Sequence, residues 1–132
     1  MKMLTEIIRL YFKFKGGNFM DTIEISLILN GIDIFKLQLL RSKIANLTSP
    51  SGHTFVDVLE FSRAGNLILK ISYPRYFTGT NVYLIRSKKE CFKVQKYFCK
   101  KILEDKEWEK YIVGIKLLRV DCTDPKKLDK LI

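Results

Sequence analysis

The stretch SKKECFKVQKYFCKKIL, residues 87–103, limits what this chain can fold into more than any other. Ser87 followed three residues later by Glu90 is a capping-box pattern, so a helix is expected to begin near Lys88. At 100° per residue, Cys91, Val94, Phe98 and Ile102 fall on one face, and Lys89, Lys93, Lys96 and Lys100 form a stripe on the opposite one. A helix divided in this way must cover its apolar face, and the remaining segments offer a sheet to cover it. The lysines then face either water or phosphate, and the pattern alone leaves both open.

The partner sheet is legible in short pieces. In DTIEISLIL, Thr22, Glu24 and Ser26 alternate with Ile23, Ile25 and Leu27, the period of a strand with one face buried. Asn30-Gly31 reads as a turn, and IDIFKLQLL after it as either a partner strand or the start of a helix. TFVDVLEFS, RAGN and LILKISY form a hairpin, with Gly65 available for the positive φ of its turn. SYPRYFTGTNVYLI reads as an extended loop segment. EDKEWEKY closes the long helix or forms its last turns, and IVGIKLLRVDC returns to strand chemistry as a strand that looks central. The fold class is therefore α+β: a mostly antiparallel sheet with one long helix packed across one face.

A chain of 132 residues holds one such domain, expected over residues 20–132. Residues 1–19 mix apolar and basic groups without the uninterrupted apolar core of a signal peptide. Lys-Gly-Gly ahead of Met20 can be encoded by a bacterial ribosome-binding sequence, so the native start is expected at Met20, with residues 1–19 wrongly assigned upstream of it. At the other end, DPKKLDKLI follows soon after the last strand, and the domain is expected to be truncated there.

Twenty-four Lys and Arg against fourteen Asp and Glu give a formal charge of +10, which points to a polyanionic partner. Cys91, Cys99 and Cys122 suit neither a disulfide framework nor a tetrahedral zinc site, and reduced thiols in a cytoplasmic setting are expected. The single histidine, His53, lies in the loop SPSGHTF and has no second histidine with which to share a metal. No apolar run reaches the length of a membrane span.

Taken in order, LILKISYPRYFTGTNVYLI, the capped lysine-striped helix and IKLLRVDC resemble the N-terminal part of the rolling-circle replication initiators of filamentous phages and related plasmids, the gene II/X group. The residues that carry the resemblance are Ser72, Pro74, Arg75, Gly79 and Asn81 in the loop, and Arg119 and Asp121 in the strand. It covers about residues 20–124, and the loop is its most specific part.

The resemblance implies a partial replication-initiator (HUH-like) domain, binding of a replication origin, and nicking of DNA by a tyrosine with a divalent metal, Mg²⁺ or Mn²⁺. A phenol is a poor nucleophile near neutral pH and needs such a metal to hold the reacting oxygens in line. Family members take the metal from paired histidines and an acidic residue, and this sequence lacks the pair. Asp121 is either an acidic metal ligand or the partner of Arg119 in a structural pair, since i and i+2 share a face of a strand. Tyr73, Tyr76 and Tyr83 read as packing groups, and no catalytic tyrosine is assigned. DNA contact is expected at Arg75, Lys88 and Lys89, at Asn81 and through close approach at Gly79, joined by the stripe of Lys93, Lys96 and Lys100. For Asn81 the alternative is a hydrogen bond to the backbone of its own loop. The chain is thus expected to be the DNA-associated module of a truncated or split initiator, with catalysis in a separately encoded part. A free-standing basic DNA-binding regulator and an interaction subunit that pairs with a catalytic chain are the alternatives.

Overall fold

Strand β1 (Phe19–Leu29) is the spine of the sheet, hydrogen-bonded along both of its edges. The computed structural model describes residues 19–61, 65–82, 85 and 87–123. The expectations for residues 1–18, for Tyr83 and for the lysine-rich tail from Asp124 lie outside the described residues. Ile23, Ile25 and Leu27 are fully buried on one side of β1, as the alternation of the sequence requires.

Asn30-Gly31 does not turn β1 back into a neighbouring strand. The chain enters helix α1 (Ile34–Ala45) instead, started by Asp33, whose carboxylate accepts from the Lys36 amide at 2.9 Å. Strands β2 (Val56–Phe61) and β3 (Leu67–Ser72) follow as the antiparallel hairpin expected from the sequence, with Gly65 at φ 81°. After β3 come a short helix α2 (Tyr73–Thr78), helix α3 (Lys88–Phe98) and strand β4 (Ile112–Thr123). The sheet order is β2-β3-β1-β4, all neighbours antiparallel. This interlocks two β-α-β units, each crossing over one strand, in the split arrangement of ferredoxin-like sheets. Strand β4 is thus an edge strand, not a central one; β1, which arrives first, takes the central place.

Helix α3 begins where its cap predicts: Ser87 Oγ accepts from the Glu90 amide at 3.2 Å. Cys91, Val94, Phe98 and Ile102 are fully buried, and Phe98 and Ile102 contribute about 1.5–3 kcal/mol each by leaving water. The helix runs on through a π turn (Cys99–Leu103), closed by the Glu104 amide donating to the Cys99 carbonyl at 2.8 Å, so the helical stretch is 16 residues long. Helices α1 and α3 join one contiguous core on the face of β1 that bears Ile23, Ile25 and Leu27. They are tied together by Tyr97, whose hydroxyl donates to the Thr48 carbonyl at 2.6 Å, and by the Lys43–Asp105 ion pair. The opposite face carries Glu24, Lys70, Lys116 and Arg119, a mixture of both signs. No described helix is long and apolar enough to cross a membrane.

Candidate nucleic-acid interface

The segment that the sequence presents as an extended loop is largely helical. Tyr73–Thr78 forms α2, with Pro74 in its first turn where a missing amide proton costs nothing, and Gly79 ends it at φ 78° with its amide donating to the Arg75 carbonyl at 2.9 Å. The tyrosines of α2 point inward. Tyr73 is fully buried and Tyr76 is 4% exposed. Burial pushes the Tyr73 phenol well above its ordinary ionisation range and Tyr76 upward too, which makes both poorer nucleophiles still.

Helix formation redirects the residues that carry the family resemblance. Arg75, expected as a phosphate ligand, is held by the protein itself: its guanidinium lies 2.8 Å from the Asp57 carboxylate on β2, and only 20% of its side chain is exposed. Gly79, expected to let a DNA backbone approach, is approached by His53 instead. A Cβ there would sit 2.6 Å from His53 Nδ1. The side-chain amide oxygen of Asn81 accepts from Ser72 Oγ at 2.8 Å, so the residue is engaged within its own segment, by a side chain and not by the backbone. These residues bind α2 to the sheet and to the 49–53 turn.

Asp121 and Arg119 are joined across the outer face of β4, with Arg119 Nε donating to Asp121 Oδ1 at 3.0 Å, and Glu24 of β1 stands 3.9 Å from the same guanidinium. Asp21 is the nearby carboxylate; burial first, then the repulsion of Asp121, raises its pKa. A guanidinium on Asp121 is the opposite of what a metal site requires, and no group of three His, Cys, Asp or Glu among the described residues is placed to hold a metal ion. The described residues do not fit a catalytic divalent cation.

The lysines are arranged differently. Lys88, Lys89, Lys93 and Lys96 on α3 and Lys100 on the π turn that continues it are all exposed, and among the described residues none of Lys89, Lys93, Lys96 and Lys100 pairs with a carboxylate. Residues 88–103 hold six lysines against one glutamate, a net +5 of the chain's +10. From Lys89 to Lys100 the stripe runs about 16 Å along the helix. Beneath it lie two adjoining grooves. One, of about 590 Å³, is walled by Phe77 and Phe92 and edged by Lys89, Lys93 and Lys96. The other, of about 220 Å³, shares Lys93 and Lys96 and adds Tyr76, Tyr97 and Lys100. Tyr76 anchors the floor through edge contacts to Phe55, Phe77 and Tyr97, with centroids 5.0–5.4 Å apart.

Phe77, Phe92 and Tyr97 are the parts of this surface that sequence reasoning missed. For Phe92 and Tyr97 the signal was the interleaving of aromatic residues with the stripe in KKECFKVQKY; for Phe77, in another element, there was none. A second omission is Tyr111, which follows α3. Lys36 donates to its hydroxyl at 2.7 Å, and that hydrogen bond lowers the phenol's pKa while raising that of the lysine.

No family model, curated protein or solved structure gave a significant match to the chain.

Proposed function

We propose that this chain is a DNA-binding module, the DNA-associated part of a rolling-circle replication initiator whose nicking chemistry resides in a separately encoded part. The observation that carries it is the lysine stripe, Lys89, Lys93, Lys96 and Lys100, four exposed cations on one helix face without carboxylate partners among the described residues. The four-stranded antiparallel sheet with its helices on one face is compatible with a partial HUH-like domain, and the order of segments supports the initiator resemblance. Its loop residues support it less directly, because Arg75, Gly79 and Asn81 are engaged within the protein. With one histidine, held against Gly79, and with Asp121 on Arg119, the described residues offer no nicking centre.

The test is binding of a fluorescent DNA across a salt series. Affinity is expected to fall steeply as salt rises, and a variant carrying Lys89→Glu, Lys93→Glu, Lys96→Glu and Lys100→Glu to bind more weakly, with its log–log salt slope shallower by about 0.7–0.9 for each lysine that contacted phosphate. Absence of binding at low salt by the wild-type protein would sink the proposal.

That outcome would favour a second reading, an interaction subunit that pairs with another chain. Helix α1 supports it: Ile34, Phe35 and Leu39 are 66%, 81% and 60% exposed on its outer side, an apolar surface of the kind that marks contact sites.

A further inference from the structure

We infer that the two grooves under the lysine stripe are a site for single-stranded DNA, with bases lying against Phe77 and Phe92 while Lys89, Lys93, Lys96 and Lys100 hold the phosphates. The inference rests on the DNA-binding proposal above and narrows it to a strand type and to named aromatic residues.

Duplex DNA offers a protein its phosphates, its sugars and the edges of its bases; the base faces are stacked inside. A lysine stripe alone would serve that surface. The stripe here borders something a duplex cannot fill, a groove of about 590 Å³ between two half-buried phenylalanines. A single strand has both of the needed chemistries, bare π-faces for the aromatic walls and a charge at every nucleotide for the lysines. The second groove continues the first along α3 by way of Lys93 and Lys96, and its Tyr97 is already fixed by the hydrogen bond to Thr48 and by Lys101, 5.7 Å from its ring centroid. The floor is stiff: Tyr76 is wedged among Phe55, Phe77 and Tyr97, so the Phe77 ring is held in place before any base arrives. The mixed charges on the open sheet face, by contrast, offer no continuous track for a polyanion.

The experiment compares a fluorescein-labelled oligo(dT) strand with a labelled duplex of equal length, by anisotropy at one salt concentration, for the wild-type chain and for Phe77→Leu, Phe92→Leu and Phe92→Trp, each checked by circular dichroism for native helix content. Single-strand binding is expected to be tighter than duplex binding. Each Phe→Leu change is expected to weaken the single strand about tenfold and the duplex less than twofold, while Phe92→Trp, which keeps a ring, retains single-strand affinity. Equal affinity for both DNAs, or no selective loss in the Leu variants, would overturn the single-strand site and leave DNA binding by the stripe intact. If neither DNA binds but an amphipathic Glu/Leu helical peptide does, the groove is a protein-docking site, and both the inference and the DNA-binding proposal fall.

Discussion

The guanidinium of Arg75 and the carboxylate of Asp57 lie 2.8 Å apart, bridging the first turns of α2 to the edge strand β2. Thr54 Oγ1 stands at 3.5 Å from the same guanidinium, so the arginine is oriented from two sides. Its role is therefore to pin α2 to the sheet. Arg75→Ala is expected to lower unfolding free energy by about 0.5–1 kcal/mol, the range for a partly exposed pair, in a denaturant titration. DNA affinity should stay within twofold of wild type. A loss as large as that from the lysine variant would return Arg75 to the DNA-contacting surface.

Gly79 combines two constraints, a left-handed backbone at φ 78° and a histidine ring where a side chain would begin. Gly79→Ala is expected to cost about 1–3 kcal/mol, from the backbone conformation and from the contact with His53. The two causes separate in a double-mutant cycle. His53→Ala should remove the contact but not the backbone strain, so the Gly79→Ala penalty becomes smaller in that background without vanishing. An unchanged penalty would mean that the ring moves aside freely.

Asp105 joins the end of α3 to α1 through Lys43, and its Oδ1 also accepts from the Glu107 amide at 2.9 Å. The hydrogen bond from Lys43, followed by that from the Glu107 amide, holds its carboxyl below the ordinary value of 3.8. A depressed carboxylate contributes stability above its unfolded-state pKa and loses it as pH falls through the folded one. Asp105→Asn is therefore expected to be less stable than wild type at pH 7, with the difference closing as the pH drops below about 4. Urea titrations at pH 7 and pH 3 read this directly; a difference that does not shrink between the two would assign the effect to packing or to the amide hydrogen bond.

Much of the fold could be read from local pattern, because its strongest signals are local. The cap at Ser87 and the spacing of Cys91, Val94, Phe98 and Ile102 place α3, and the alternation in β1 marks its buried side. The fate of residues 32–40 was less legible. Apolar residues occur all round α1, so no periodicity distinguishes a strand from a helix there, and Leu40 and Ile44 became the buried pair only because β2 and the rest of the core close over them.

By itself the sequence determined the capped, lysine-striped helix, the hairpin of β2 and β3, and a charge that asks for an anionic partner, since each depends on residues close together in the chain or on composition alone. Only the tertiary structure decided which residues meet. Strand order is set by long-range pairing, which put β1 rather than β4 at the centre. The folding of 73–78 into a helix turned Arg75 onto Asp57 and Gly79 against His53, partners 18 and 26 positions earlier in the chain. The same packing set Phe77 of α2 beside Phe92 of α3, making a groove that no local pattern encodes, because its two walls belong to different elements.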